Sequence, residues 1–349
     1  MTISKNLTVP LILAAVLLAV SILPARFKTG EMVSRERLAM GTTVQIKAPL
    51  TAGEDRRTLE ANIDKALDEI ARIESVFSVY KKDSEISGIN RLRKGEALKI
   101  SAEAYGLIEK AIECSVKTGG AFDITVKPLV DLWADARGRG IVPSDEQVKS
   151  AVARIGSRDI VLDKGAGTIA FKKDGMALDL GGVAKGYATD RVLGILKADG
   201  ISRAIIRSGG DVYCLGMRSG KDLWKVGVRH PRDRARLFME LELKDKAIDT
   251  AGDYEKFFMV AGKRYSHIID PRTGYPIGDN VISATVVADD ATTADMLATA
   301  LCVLGPDGLK IADASGVMAV IVAKAAGKYK VEMAGHISGV LHVTQDKEL

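Results

Sequence analysis

Aromatic residues are scarce, at 5% of the 349-residue chain. That is too few for the stacking platforms that single-stranded nucleic acid requires. The Lys and Arg residues are interleaved with acids, so the net charge of +5 forms no basic stripe. The densest cationic cluster, Arg229, His230, Arg232, Arg234 and Arg236, reads as a solvated loop, and no nucleic-acid partner is expected. Cysteine is also sparse: Cys114, Cys214 and Cys302 each sit in an apolar pattern, and none has C-x-x-C spacing. This excludes a zinc ribbon and leaves buried free thiols with at most one disulfide. The four histidines contain no H-E-x-x-H, and the chain has no internal repeat and no low-complexity tract. The two commonest nucleotide motifs are missing as well. Lys185-Gly186 is followed by Tyr187 where a P-loop needs Ser or Thr, and no G-x-G-x-x-G spacing occurs.

What is present is a globular composition, 47% hydrophobic and 27% charged. That is enough to build one large domain or two small ones. Lys5 precedes an apolar run from Val9 to Leu23, broken only by Pro10 and Ser21. The run is short for a spanning helix and suits a signal h-region. No Cys follows it, which rules out a lipid-bearing N-terminal cysteine. The expectation is an exported, periplasmic protein, with residues 1–30 a cleaved signal peptide or an N-terminal anchor associated with the inner membrane.

Periodicity outlines the rest. Arg37 to Ala48 reads as a strand, and Leu59, Ile63, Leu67, Ile70, Ile73 and Phe77 form a helical stripe. Ser84 to Asn90 reads as a polar loop, and Ala104 to Thr118 as a helix stopped by Gly119-Gly120. Ser144 to Gln147 has the form of a capping box. Asp159 to Lys173 looks like a hairpin, as do Trp224 to Leu243 and Val317 to Met333. Phe257 to Val260 and Val281 to Ala288 read as strands, and Thr293 to Val303 as a helix. Strands outnumber helices and sit mostly in hairpins. The predicted fold class is therefore α+β, with largely antiparallel sheets flanked by helices, in a single catalytic domain over residues 31–349.

Two stretches carry chemistry. Met176-Ala177-Leu178 reads as a strand running into Asp179, the Gly181-Gly182 turn, and a helix holding Val183, Tyr187, Val192 and Leu196. A helix start with its unpaired N–H groups, close-approach glycines and Lys185 in the first turn would seat a diphosphate. The same residues also serve as a plain strand-to-helix joint with a solvated lysine. In the second stretch, Asp295 and Thr299 lie four apart on one helix face. Together they offer hard oxygen donors that suit Mg²⁺, and a carbonyl of the Gly181-Gly182 turn could supply a third. The competing reading is a helix start capped by Thr292 or Thr293, with Asp295 complementing the dipole.

The order of motifs closely resembles the ApbE family of FAD:protein FMN transferases, over about Met40 to Gly305. They are Met40-Gly41-Thr42, the Tyr80 to Ser87 loop, Gly120 to Val126, Asp179 to Asp190, Gly209-Gly210-Asp211, Thr250 to Tyr254, His267 to Gly274, and Ala294-Asp295 with Ala298-Thr299. The resemblance implies a domain that binds FAD as substrate with Mg²⁺. It implies cleavage of the diphosphate, transfer of FMN to a threonine of a target flavoprotein, and release of AMP. By matching positions, Met40, Tyr80, Ala121, Phe122, Asp123, Asp179 and Lys185 are expected FAD contacts. The Gly182 carbonyl, Asp295 and Thr299 are the expected metal site. His267 is expected as the base and Lys185 as a charge-neutralising catalytic residue; His267 alternatively fixes the Asp270-Pro271 turn. Implied partners are FMN-acceptor domains of periplasmic or membrane electron-transfer proteins, of the Rnf/Nqr type or the nitrous-oxide reductase regulator type. Two other functions stay open: a Mg²⁺-dependent FAD pyrophosphatase releasing FMN and AMP, and a non-enzymatic FAD-binding assembly factor.

Overall fold

The computed structural model describes residues 31–335, except 234, 261, 326 and 327. The apolar N-terminal run lies outside the described residues. β1 (Met32–Ala39) and β2 (Thr42–Pro49) form a hairpin. The single strand expected over Arg37 to Ala48 is thus split by a turn at Met40-Gly41, where both residues have positive φ. α1 (Arg56–Phe77) buries the whole expected stripe, and the Asp55 carboxylate caps it by accepting the Thr58 N–H at 2.9 Å. The expected polar loop is instead a short helix, α2 (Glu85–Ile89), capped by Ser84. Its Ile86 and Ile89 are buried, which anchors the turn.

β3 (Ala97–Lys99) leads to α3 (Ala102–Lys117), α4 (Lys127–Arg139) and α5 (Asp145–Val152). The Ser144/Gln147 capping box opens α5 as the sequence indicates. β4 (Ile160–Asp163) and β5 (Thr168–Phe171) form the expected hairpin, and β3 joins it in a three-stranded sheet. Next come α6 (Ala184–Ala198), β6 (Ala204–Ser208) and β7 (Asp211–Leu215). They are followed by β8 (Trp224–Arg229), β9 (Leu237–Leu243), β10 (Lys246–Gly252), β11 (Phe257–Val260) and β12 (Lys263–Ser266). β13 (Val281–Ala288), α7 (Ala291–Leu304), α8 (Leu309–Ala314), β14 (Met318–Ala325) and β15 (Lys328–Ala334) complete the described chain.

One antiparallel eight-stranded sheet, in the order β1-β2-β6-β7-β10-β13-β14-β15, is the frame. Alternate residues of its strands point to opposite faces. Ile206, Tyr213, Ala247 and Ala284 join the larger core, with α1, α6 and α7 on that face. Ile205, Val212, Cys214, Ile248 and Val287 point the other way, into a second core closed by the β8–β9 hairpin. A third, smaller cluster joins Trp133 of α4 to the β11–β12 hairpin. The architecture is α+β with antiparallel sheets, as the hairpin pattern requires.

One local reading changes and one is borne out. The arginine-rich cluster is not simply a solvated loop. His230 is buried, and Arg232 makes a bidentate pair with Asp253 at 2.8 and 2.9 Å. Among the described residues all three cysteines are free and buried, so no disulfide forms. No helix among them is long and apolar enough to cross a membrane.

Candidate active site

The segment before α6 is extended but is not a strand. Asn90 takes the place of a pairing strand: its Nδ2 donates to the Leu178 carbonyl at 2.9 Å, and its Oδ1 accepts the Leu178 N–H at 2.6 Å. The Asp179 N–H donates to the Ile124 carbonyl at 2.7 Å. A side chain and a loop therefore satisfy backbone groups that a ladder would otherwise take. Asp179 accepts the Gly181 N–H at 2.8 Å, which shapes the Gly-Gly turn. Burial pushes its carboxyl up from the ordinary value.

α6 and α7 cross at their N-terminal ends. Asp190 of α6 caps α7 by accepting the N–H groups of Ala291 and Thr292, at 2.8 and 2.9 Å. Asp290 is the N-cap residue, accepting the Thr293 N–H at 2.9 Å. The cap expected at Thr292 or Thr293 is thus supplied by two aspartates. This frees Asp295, one turn in, from capping its own helix. Its Oδ2 instead accepts the Gly186 N–H at the start of α6, at 3.0 Å.

Lys185 lies at the centre. Its Nζ is 3.0 Å from Asp211 Oδ2 and 3.1 Å from Asp295 Oδ1. The sequence suggested an ammonium standing free for phosphate; the structure places it between two carboxylates. Burial alone would lower the lysine's pKa, but Asp211, Asp295 and Asp249 outweigh it and hold the group charged, well above its ordinary value. Asp295 is raised to about 6, chiefly by burial and against the pull of Lys185. Asp249 is raised well above the usual carboxylate range, by burial first and then by Asp211, to which it hydrogen-bonds. Its surroundings therefore favour the protonated form.

The expected metal ligands converge here. A Cβ placed on Gly182 would lie 3.3 Å from Thr299 Oγ1 and 3.3 Å from the Phe122 ring. Turn, hydroxyl and aromatic are therefore neighbours, and Asp295 is one turn before Thr299 on α7. Among the described residues no three His, Cys, Asp or Glu side chains are arranged to hold a metal ion. A divalent ion would rely on the mixed set of carbonyl, carboxylate and hydroxyl oxygens. The charge balance fits one. Two carboxyl groups, Asp211 and Asp295, share the single ammonium of Lys185. All the donors are hard oxygens, the kind Mg²⁺ takes.

The other expected residues divide. Ala121 and Phe122 are buried, and the Phe122 ring lies beside the Gly182 turn. Asp123 is occupied by its own loop: its carboxylate accepts from Thr125 N and Oγ1, Ser115 Oγ and Ser157 N, at 2.6 to 3.2 Å. Met40 sits at the β1–β2 turn, where its N–H donates to Glu74 at 2.9 Å. That turn reaches the site through Thr42, whose Oγ1 lies 3.0 Å from where a Cβ on Gly209 would stand. Gly209 has φ +64°, so the tight β6–β7 turn that aims Asp211 needs glycine. Tyr80 is 89% exposed.

His267 follows β12. Its backbone N–H donates to the Lys256 carbonyl at 3.1 Å, and its Nδ1 is 2.9 Å from the same oxygen. A carbonyl only accepts, so Nδ1 carries the proton and Nε2 keeps a lone pair. The residue is solvent-accessible, yet the protein around it desolvates the ring enough to lower its pKa, and the charges of Lys256 and Lys185 add to this.

Two members of the group carried no role in the sequence reading. Asp211 was visible in the Gly209-Gly210-Asp211 motif. Asp249 had a quieter signal, an acid inside the apolar run Ala247-Ile248-Asp249.

A profile of the ApbE family matches residues 40–322. The chain is 34% identical over 309 residues to the FAD:protein FMN transferase of Vibrio cholerae serotype O1, covering 87% of this chain and 91% of that one. It is 30% identical over 324 residues to the FAD:protein FMN transferase of Escherichia coli K12, covering 91% and 92%. Among solved structures, the flavin transferase ApbE from Vibrio cholerae superposes with a TM-score of 0.77 at 33% identity, covering 87% of this chain and 97% of that one. The ApbE protein from Thermotoga maritima does so with 0.79 at 34% identity, covering 87% and 97%.

Proposed function

This chain belongs to the ApbE family, and from that premise we propose that the α6–α7 crossing is where it cuts FAD and hands FMN to a protein. It is an FAD:protein FMN transferase, and its acceptor is a flavoprotein. In our reading the reaction requires Mg²⁺, and the acceptor atom is a threonine Oγ. That oxygen attacks the phosphorus on the riboflavin side of the diphosphate. The new O–P bond forms as the bridging P–O bond breaks, and AMP leaves with the bridging oxygen. The hydroxyl proton passes to Nε2 of His267, the ring nitrogen left with a lone pair by the Lys256 carbonyl.

The observation that carries this reading is Asp295, drawn to the N-terminus of α6 beside Gly182 and Thr299. These three groups would hold Mg²⁺, which when bound neutralises charge on the diphosphate oxygens. Lys185 fixes Asp295 and opposes the burial that favours its protonation. Phe122 packs on the Gly182 turn.

The test incubates the protein with FAD, Mg²⁺ and the FMN-carrying domain of an Rnf/Nqr-type subunit or of a nitrous-oxide reductase regulator, with mass analysis of the acceptor. A mass gain of one FMN, lost in Asp295→Ala that remains folded, is the expected result. Free FMN and AMP with an unmodified acceptor would make the protein a pyrophosphatase instead. An Asp295→Ala variant with wild-type turnover and Mg²⁺ dependence would remove the metal assignment. The apolar run from Val9 to Leu23 supports an exported, periplasmic protein, cleaved or anchored at the inner membrane, where such acceptors reside.

A further inference from the structure

Behind the Lys185 group, on the other face of the eight-stranded sheet, two arginines meet. Val212 and Ile248 point into the second core, so their strand neighbours Asp211 and Asp249 point to the first face. Arg207 of β6 is on the second face: it shares a face with Ile205 and stands opposite Val212 in the ladder. Arg229, the last residue of β8, reaches the same place from the covering β8–β9 hairpin. Together with Gly209, Gly210, Thr250 and Glu255 they line a pocket of about 60 Å³. It has room for one small group.

The lining carries two guanidinium groups and one carboxylate, that of Glu255. Glu255 is exposed, and Arg229 makes no ion pair among the described residues. Nη2 of Arg229 is buried and has no hydrogen-bond partner among them. Burial, and after it the like charge of Arg229, pull the Arg207 guanidinium below its ordinary value. Water can complete a hydrogen bond to a buried guanidinium, but it does not offset two like charges on one wall. A planar guanidinium fork matches the paired oxygens of a carboxylate or a phosphate.

Three chain segments join this pocket to the reacting centre. The Gly209-Gly210 turn connects Arg207 to Asp211, which pairs with Lys185. Thr250 follows Asp249 on β10. Glu255 precedes Lys256, whose carbonyl holds both the backbone and the ring of His267.

We propose that this pocket is an oxyanion site, in which Arg229 and Arg207 take one carboxylate or phosphate group. Under the transferase reading above, two molecules bring such a group: the acceptor through an acidic side chain, and AMP through its phosphate. The site itself does not rest on that reading. It is separate from the proposed metal site, which lies across the sheet.

The experiment compares wild type, Arg229→Gln and Glu255→Gln. The first arm uses inorganic phosphate as the probe, in chelator, followed by calorimetry and thermal melts. Wild type should bind phosphate and gain Tm. Arg229→Gln should bind it about 10-fold more weakly or worse, and should melt no lower than wild type without phosphate. Glu255→Gln should bind phosphate more tightly, because a competing carboxylate is gone. Equal phosphate affinity in wild type and Arg229→Gln would overturn the site. So would an Arg229→Gln that melts below wild type while neither binds phosphate, which would make Glu255 the counter-ion. The second arm assigns the source, at saturating FAD and Mg²⁺ with the Rnf/Nqr-type acceptor domain. A KM for the acceptor raised about 10-fold in Arg229→Gln, with unchanged inhibition by AMP, assigns the group to the acceptor. Weaker inhibition by AMP at unchanged KM assigns it to AMP. Neither change, in an enzyme that modifies the acceptor, would make phosphate an adventitious ion only and overturn the proposal. Failure of wild type to modify any acceptor would defeat the transferase reading instead, and the phosphate arm would decide the pocket.

Discussion

The Gly186 N–H donates to Oδ2 of Asp295 at 3.0 Å, where α6 packs closely against the start of α7. A Cβ on Gly186 would stand 2.3 Å from the Ala291 carbonyl oxygen and 2.9 Å from the Asp295 Cβ. The helices approach this closely because residue 186 has no side chain. The approach is what carries the Asp295 carboxylate to the α6 N-terminus.

Gly186→Ala therefore forces the helices apart. The expected cost is about 1–3 kcal/mol, the usual range for overpacking a core, with loss of Mg²⁺-dependent FAD turnover. Gly194, on the same helix, would meet nothing within 4 Å. Gly194→Ala should instead gain roughly 0.5–1 kcal/mol from helix propensity and leave turnover unchanged. Denaturant unfolding and FAD turnover on the two variants check both halves; equal stabilities would refute the packing argument.

Asp249 is buried, and burial with the nearby Asp211 raises its pKa well above the ordinary carboxylate value. A group whose folded pKa is raised contributes stability below its unfolded pKa and loses it as pH rises through the folded one. Asn keeps a donor for Asp211 and does not titrate. Asp249→Asn should therefore be the more stable protein in chelator at neutral pH. Its Tm advantage should widen as pH climbs from about 4, near the ordinary Asp value. Thermal melts across that range decide it; an advantage that shrinks with rising pH contradicts the assignment.

In the proposed reaction His267 acts through its neutral ring, and desolvation lowers its pKa from the ordinary 6.5. Protonation at Nε2 removes the lone pair, so transfer falls only when pH drops below that ordinary value. At saturating FAD, acceptor and Mg²⁺, the acid limb should lie below about 6.5. His267→Ala should lose that limb and about 10²–10⁴ in rate, with FAD binding kept. Loss of FAD affinity with undiminished transfer at saturation would leave His267 as a support for the Asp270-Pro271 turn.

The sequence by itself determined the α+β class, because hairpin spacing and the α1 stripe are local patterns that fix which faces must be buried. It also determined the family, because eight motifs in one order are specific where each alone is not. It could not supply what depends on partners distant in the chain. Met176 to Leu178 looked like a strand because its residues are apolar; only the fold shows that Asn90 takes up the Leu178 backbone groups. Lys185 looked like a free charge at a helix start; only the crossing of α6 with α7 and β7 places it against Asp295 and Asp211. Asp249 is an ordinary acid in one dimension. Burial beside two other carboxylates is a property of the folded chain, and it is what raises this residue's pKa.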